Sequence, residues 1–432
     1  MLEITKYLDT HLERTLKKDS QYNRIPSISD GLKTIERIIL KVIILLSIEN
    51  NNDYILSKNI ILKIPEISLD IERIYEEICN LVNNKKMLFE TKGNFGCLDY
   101  PENQKESDWN CTYIKLNPIF YNYYRVNNYI DNYIPFIVPL GLIGNNISSN
   151  VRINKIISPK YKLSDLLTRL NDLLLNNDKL TVIKPNIEGC LISEVNNGFG
   201  TILEKGIGTV NVIPKNTKNI DNSITLFGCV PIRKFNRLLE DAKNEEADTK
   251  KILFKYISSV DPFSLTLYPS TDIAVFTTRV TKLVSESIKF NNIVIDIDEY
   301  LNPTNIKQIS IDEILKTSFD IYKKYKIKQI ENKILLHNNT NKQIDICILI
   351  VNNINNINDS KFIEIINENN KYSNDDIRNI LNTLSMSKLI LLSRTTNKNS
   401  EILKLEKQIK NIDEIVKNEL DTFITIANKE VV

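Results

Sequence analysis

Between residues 32 and 48 apolar side chains recur so densely that almost no polar face is left. Leu32, Ile35, Ile39 and Ile43 form one stripe at steps of three and four, and Ile38, Leu40, Val42 and Leu45 widen it around most of the circumference. A helix that is apolar nearly all round is buried, so 32–47 is predicted to be a core helix. A second helix is predicted at 69–83 after a turn centred on Pro65. A strand-like stretch at 86–90 and the turn Gly93-Asn94-Phe95-Gly96 come next. Helix, helix, then strand-turn-strand is the order of a winged-helix domain.

Elsewhere the pattern changes character. Residues 1–24 read as a charged helical arm, and 133–159 as apolar loops broken by Pro135, Pro139 and Pro159. A helix is expected at 161–175. From about 180 to 295, short β-type runs alternate (Thr201-Ile202-Leu203, Val210-Asn211-Val212-Ile213, Ile273-Ala274-Val275-Phe276) around one helix near 235–243, which predicts a separate α+β domain. Ser310 and Glu313 form a capping box that opens a long helix to about Leu336. Its return partner is Ile402, Leu405, Ile409, Ile412, Val416, Leu420 and Phe423, stepping by three or four as a coiled-coil seam requires. Short helices and Asn-rich loops are expected between, at 341–396, with 351–358 as loop. Two long helices returning on each other with a small globule between them make an arm ending in a knob, a natural dimer contact. The expected fold class is α+β multidomain, divided at 1–160, 161–300 and 301–432.

The bulk numbers agree with this division. A chain of 432 residues and 49.9 kDa holds two or three domains, and 42% hydrophobic with 25% charged residues is a globular composition. The net charge of +2, from 56 basic and 54 acidic residues, gives no bulk attraction to nucleic acid, so any such binding rests on local placement of Lys and Arg. Six scattered cysteines and only two histidines, His11 and His337, argue against a zinc site or a disulfide framework and for a reducing compartment. Met1-Leu2-Glu3-Ile4 lacks the character of a signal peptide, and the apolar run at 38–48 is too short to span a bilayer. A cytoplasmic protein without a membrane partner is expected.

The chemistry-bearing stretch is Arg24-Ile25-Pro26-Ser27-Ile28-Ser29-Asp30-Gly31-Leu32-Lys33, followed by Thr34-Ile35-Glu36-Arg37. Asp30-Gly31 makes a turn, and Lys33 and Arg37 lie one helical turn apart on one face, where two cations can bridge neighbouring phosphates. The alternative is a solvated pair on the polar edge of a buried helix. The pattern Ile-Pro-x-x-x-Asp-Gly-Leu-Lys-x-x-x-Arg, carried by Ile25, Pro26, Asp30, Gly31, Leu32, Lys33 and Arg37, resembles the DNA breakage-and-rejoining subunit of type IIA DNA topoisomerases. The family usually has Arg two residues before the Ile; Asn23 stands there and Arg24 is one step closer. Gly93-Asn94-Phe95-Gly96, then Tyr113 within Cys111-Thr112-Tyr113-Ile114-Lys115-Leu116, extend the resemblance in the family's order. So does the stretch from Asp413 through Leu420, which is similar to the end of the family's coiled-coil arm.

The resemblance implies a winged-helix DNA-binding domain, a tower-like α/β domain and a coiled-coil arm ending in a helical dimerisation knob. It implies Tyr113 as a nucleophile that stores the cut strand as a phosphotyrosyl ester. Two departures stand out. The residue before the nucleophile is normally Arg and here is Thr112, and the family's helper histidine is missing, with Ile64-Pro65-Glu66 near its expected place. Lys115, two residues on and so on the same strand face, is the first substitute, followed by Arg125 and Arg152. Arg24, Lys33, Arg37, Lys58, Arg125, Arg152 and Lys155 form the expected DNA-binding set, and Val151 or Ile153 the expected intercalating wedge, a plain core turn being the alternative. Expected partners are double-stranded DNA, a second copy through the arms, and a separate ATPase and metal-binding subunit that brings Mg2+ and ATP. Asp296-Ile297-Asp298 reads as a strand-end turn, and no Gly-rich phosphate loop is present. The length of the chain is most similar to the separate cleavage subunits of large tailed phages. A catalytically inactive, dimeric DNA-binding or scaffold relative is the second reading, and a helical interaction protein with no DNA role the third.

Overall fold

A computed structural model describes residues 25–64, 70–96, 106–126, 134–144, 148–149, 157–177, 179–187, 189–220, 223–227, 253–257, 264–268, 278, 285–297, 303–354, 362–366 and 372–429. The expected N-terminal arm, the helix near 235–243, the run 273–276 and the wedge at 151–153 lie outside the described residues. The chain divides into two compact units, Met1–Ile321 with Thr422–Val432, and Tyr322–Asp421. Together they make an α+β fold of helices and small antiparallel sheets.

In the first unit the expected core helix is α1, Thr34–Glu49, with Ile35, Ile39, Leu40, Val42, Ile43, Ile44 and Leu46 buried. It starts two residues later than the pattern predicts because Leu32 belongs to the preceding turn, its N–H donating to the Asp30 carboxylate at 3.0 Å. The Glu36 carboxylate accepts from the Lys33 N–H at 2.9 Å and so satisfies one of the orphan donors of the first turn. Next come β1 (Ile55–Leu56), α2 (Ser57–Lys63), α3 (Ile71–Asn84), β2 (Phe89–Lys92) and β3 (Tyr113–Leu116). These strands form one antiparallel sheet in the order β1-β3-β2. The following helix, α4 (Pro118–Val126), carries Tyr123, whose ring packs with Phe136 and Phe423 at centroid distances of 5.3 and 5.6 Å.

Several stretches of this unit are tied to the turn at Asp30. Its side chain, 1% exposed, accepts from Arg37 Nε at 2.6 Å and Nη2 at 2.8 Å, and from the backbone N–H of Leu32 and of Ile134. Burial alone would lower the Arg37 pKa; the facing Asp30 charge outweighs it, so the guanidinium stays protonated. Gly31 has φ +67°, and it sits against Gly141 so closely that a Cβ on Gly141 would lie 1.6 Å from the Gly31 carbonyl oxygen. The Gly141 N–H donates to the Asp30 carbonyl at 2.8 Å. The same turn bonds to residue 295 through Ile28 N–H to Ile295 O at 3.0 Å and Ile295 N–H to Pro26 O at 2.9 Å, and receives the Ser318 hydroxyl on Ser29 O at 2.9 Å.

The 140–143 loop that meets Gly31 is itself held by two buried lysine side chains. Lys85, 1% exposed, donates to the carbonyls of Leu140 at 3.0 Å, Gly141 at 3.4 Å and Ile143 at 3.3 Å, while Lys160 donates to Gly141 O. Burial pushes both lysines below their ordinary pKa, Lys160 furthest because Lys85 adds its repulsion; Glu36 is their common counter-charge. Burial would raise Glu36 in turn, but Lys33, Lys85 and Lys160 together hold it below the usual carboxylate range.

Beyond α5 (Leu163–Leu174), whose Arg169 forms a two-point ion pair with Asp312 at 2.9 and 2.6 Å, lies an eight-stranded antiparallel sheet. Its strands are β4 (Ser148–Ser149), β5 (Ile157–Ser158), β6 (Cys190–Val195), β7 (Ile207–Lys218), β8 (Ile224–Phe227), β9 (Leu253–Ile257), β10 (Ser264–Tyr268) and β11 (Glu286–Asn291). The first half of β7 pairs with β6 on one edge and β11 on the other, and its second half with β8. The predicted strand at 201–203 is instead part of α6, Gly198–Lys205. Its buried Phe199, Ile202 and Leu203 step by three and four, and left-handed Asn197 (φ +56°) and Gly206 (φ +72°) cut it off from the strands on both sides. A separate hairpin of β12 (Ile293–Ile297) and β13 (Pro303–Gln308) follows, in which Asp296 pairs with Lys307 at 3.1 Å.

The second unit is helical. Helix α7, Ile311–Asn352, opens with the Glu313 N–H on the Ser310 hydroxyl at 3.0 Å, as the capping box predicts, but runs 16 residues past the expected end at Leu336. The polar stretch from His337 to Gln343 stays helical because the return segment satisfies it. His337 pairs with Glu401 at 3.5 Å, Asn341 bonds to Asn399 and to the Lys398 N–H, and Lys342 pairs with Asp376 at 2.6 Å. That return consists of α8 (Phe362–Ile366), α9 (Asn374–Thr383), α10 (Met386–Ser393), α11 (Asn399–Lys410) and α12 (Ile412–Lys429). The expected single return helix is thus two, broken at Asn411. Tyr322 and Lys326 reach Glu419 at 2.6 and 2.8 Å, while His337 further along α7 pairs with the earlier Glu401, so α7 and the α11–α12 segment run antiparallel. At the far end Ile346, Cys347, Ile350, Phe362, Ile377, Ile380 and Leu389 close a small core. Among the described residues no helix is long and apolar enough to cross a membrane.

Two measurements check this account of the core. Gly141→Ala is expected to lower stability by about 2–3 kcal/mol in urea unfolding through overpacking, and Arg37→Ala by about 3–5 kcal/mol because it leaves a buried carboxylate unpaired. Unchanged midpoints would contradict the close approach and the ion pair. Because Lys160 lies well below 10.5 in the folded chain, the unfolded chain binds more protons from the folded pKa up to that value, so stability from this group rises with pH across that window. The stability of the wild type relative to Lys160→Met is therefore expected to improve as pH rises towards 10.5; a pH-independent difference would contradict it.

Candidate functional site

Strand β3 divides its side chains by alternation, as a two-residue period requires. Ile114 and Leu116 are buried against α1, while Tyr113 and Lys115 face outward. Tyr113 is 38% exposed, unlike most of the large aromatic side chains of this unit. Directly across the ladder stand Lys92 opposite Tyr113, and Glu90 opposite Lys115. On the other edge Leu56 pairs with Tyr113. Tyr54, just before β1, puts its ring 3.8 Å from Lys92 Nζ and 5.5 Å from Lys115 Nζ.

The charges on this face are not equivalent. Lys115 Nζ lies 2.8 Å from Glu90, and that hydrogen bond raises its pKa. Lys92 has no ion pair among the described residues; its ammonium rests on an aromatic face that attracts it without cancelling its charge. The Cys111 thiol is exposed nearby, whereas two other candidate nucleophiles are suppressed. Burial pushes the Cys79 thiol up to about 12, and burial likewise raises the Tyr75 phenol.

The same alternation explains Thr112. Its side chain is fully buried and donates to the Ser57 hydroxyl at 2.8 Å, with Tyr75 Oη at 3.0 Å. A residue at this position points into the core and brings nothing to the outer face. The Gly93–Gly96 turn is similarly explained by packing. Gly93, at φ +93°, faces the Cys111 carbonyl so closely that a Cβ would lie 2.5 Å from it. Phe95 is buried, and Asn83 donates to the carbonyls of Phe95 and Gly96 at 3.0 and 3.3 Å. A cleft of about 280 Å³ beside this turn is lined by Glu76, Cys79, Asn80, Asn83, Phe95, Gly96 and Glu106.

No family model matches this chain, and no curated protein matches it.

The structure therefore brings together only part of the set predicted from sequence. Tyr113 and Lys115 share one face. Lys58 is exposed at the start of α2, whose first N–H groups bond to Thr112 O at 2.9 Å and Trp109 O at 3.3 Å, so it adjoins the segment leading into Tyr113. Arg37 is committed to Asp30 rather than displayed beside Lys33 as a phosphate bridge. Lys33 lies near Glu36 and Glu77 instead, and partly offsets the burial that raises the Glu77 carboxyl. Arg125 is exposed on α4 with Tyr121 as its ring neighbour at 5.9 Å. Arg24, Arg152, Lys155, Val151 and Ile153 lie outside the described residues. Sequence reasoning missed Lys92. Its one signal was its place immediately before Gly93, where a strand must turn back towards Tyr113, but 20 positions separate the two and nothing local fixes the register.

Placing an Arg at 112 is expected to damage the fold rather than the outer face. Thr112→Arg would bury a guanidinium against Ser57 and Tyr75, so its thermal midpoint should fall well below that of Thr112→Ser; an Arg variant as stable as the Ser variant would contradict the inward orientation.

Proposed function

We propose that this chain is the DNA-cleaving and rejoining subunit of a type II, ATP-dependent DNA topoisomerase, with Tyr113 as its nucleophile. The observation that carries this reading is the exposed phenol of Tyr113 set between lysines on the outward side of the β1-β3-β2 ladder. The element order α1-β1-α2-α3-β2-β3 with sheet order β1-β3-β2 supports a winged-helix reading of the first 126 residues. The antiparallel sheet around β7 is read as the tower-like domain. The antiparallel pair of α7 with α11–α12, closed by the core around Ile346 and Leu389, supports a coiled-coil arm with a dimerisation knob.

In this reading Tyr113 Oη forms a bond to a backbone phosphorus as the bond from that phosphorus to the neighbouring sugar oxygen breaks. The phenol proton leaves through solvent and the sugar oxygen departs as a hydroxyl, leaving a phosphotyrosyl ester of similar energy. Reversal reseals the strand. Two copies cut both strands of a duplex, a second duplex passes, and the ends rejoin. Glu90, on the same face, is held by Lys115 at 2.8 Å. Metal and ATP belong to a partner subunit in this proposal, and the site of action is the cytoplasm.

A second reading, a dimeric DNA-binding or scaffold relative without the reaction, draws on the inward Thr112 and the neutralised Lys115. Trapping with denaturant discriminates between them. With duplex DNA, Mg2+, ATP and the ATPase subunit, the wild type should leave a covalent protein–DNA adduct that Tyr113→Phe lacks, while both bind duplex DNA with the same steep salt dependence. Salt-sensitive binding without an adduct would replace the first reading by the second, and no duplex binding would remove both.

A further inference from the structure

We infer that Lys92 is the cation that acts on the phosphate attacked by Tyr113, and that the Tyr54 ring positions it; this rests on the reading of Tyr113 as the nucleophile. Residues directly opposite in an antiparallel ladder have their Cβ atoms about 4.5–5.5 Å apart, whereas residues two apart on one strand are separated by about 7 Å. Lys92 is in the first relation to Tyr113 and Lys115 in the second. Closeness is reinforced by charge. The Glu90 carboxylate, 2.8 Å from Lys115, cancels most of the field that ammonium can project, while the Tyr54 ring, 3.8 Å from Lys92, leaves a full positive charge facing solvent.

The ring also limits where that charge can go. A free lysine side chain loses much rotamer entropy on engaging a phosphate. Resting on Tyr54, Lys92 is held on the face that carries Tyr113 before DNA arrives. The role is electrostatic. As the Oη–P bond forms and the P–O bond to the sugar breaks, negative charge builds on the non-bridging oxygens, and Lys92 Nζ donates an N–H to one of them. It thereby supplies what Thr112, buried and hydrogen-bonded to Ser57, does not.

The test uses the full chain with its ATPase subunit, Mg2+ and duplex DNA, reading single-turnover formation of the Tyr113 adduct. Lys92→Ala is expected to slow it by about 10²–10³-fold, the loss typical of one charge-stabilising donor, and Lys92→Arg to restore most of it. Lys115→Ala should change the rate by less than about tenfold, since its charge is already met by Glu90. Tyr54→Phe, which keeps the ring, should match the wild type, and Tyr54→Leu should not. An adduct formed at the wild-type rate by Lys92→Ala, or a loss that Lys92→Arg does not restore, overturns the role of Lys92 and leaves Tyr113 standing. Absence of any Tyr113 adduct in the wild type overturns both.

Discussion

The buried carboxylate of Asp30 is the constraint on which the first unit depends. A charge removed from water needs several donors at once, and Asp30 gets them from Arg37, from the Leu32 N–H and from the Ile134 N–H, more than 100 positions away. Satisfying it draws the start of α1 and the 134–143 loop to one point. There Gly31 and Gly141 meet backbone to backbone because neither carries a side chain. Lys85 and Lys160 then close the loop from the other side by occupying its carbonyls. The same turn is stitched to β12 and receives the hydroxyl of Ser318. Five stretches that are remote in sequence are thereby fixed with one small loop between them.

This arrangement changes what the Asp-Gly-Leu-Lys-x-x-x-Arg stretch means physically. Read as a string, two cations one turn apart on a helix invite a ligand with phosphates. Folded, Arg37 is saturated by its own Asp30, and Lys33 sits in the field of Glu36 and Glu77. The stretch acts as a fastening for the scaffold, and the outer face of the three-stranded sheet is where unspent chemistry remains. On that face a phenol, an aromatic-supported ammonium and a lysine–glutamate pair are held by cross-strand register alone.

The elements legible in the sequence were those whose signal is local. The all-round apolar helix, the Ser310 cap and the position of the Gly93 turn each follow from a few adjacent residues, and each is present within a few positions of its expected place. What misled were stretches whose state is settled at a distance. Residues 201–203 look β-branched and apolar but are helical, closed off by left-handed residues at both ends. Residues 337–343 look like loop, yet α7 carries through them because Asn399, Glu401 and Asp376 supply partners from the returning segment. The site divides the same way. Alternation put Tyr113 and Lys115 on one face from sequence alone, whereas Lys92 became visible only with the β2–β3 register, and the commitments of Arg37 and Lys115 only with their carboxylate partners.

In the proposed reaction the phenol oxygen of Tyr113 is the atom joined to DNA. Mass spectrometry of proteolysed, nuclease-trimmed adducts from denaturant-trapped reactions reads this directly. The account predicts a nucleotide mass on the peptide spanning Cys111 to Lys115, localised by fragmentation to Tyr113. A nucleotide on any other of the 18 tyrosines, or on none, would contradict it.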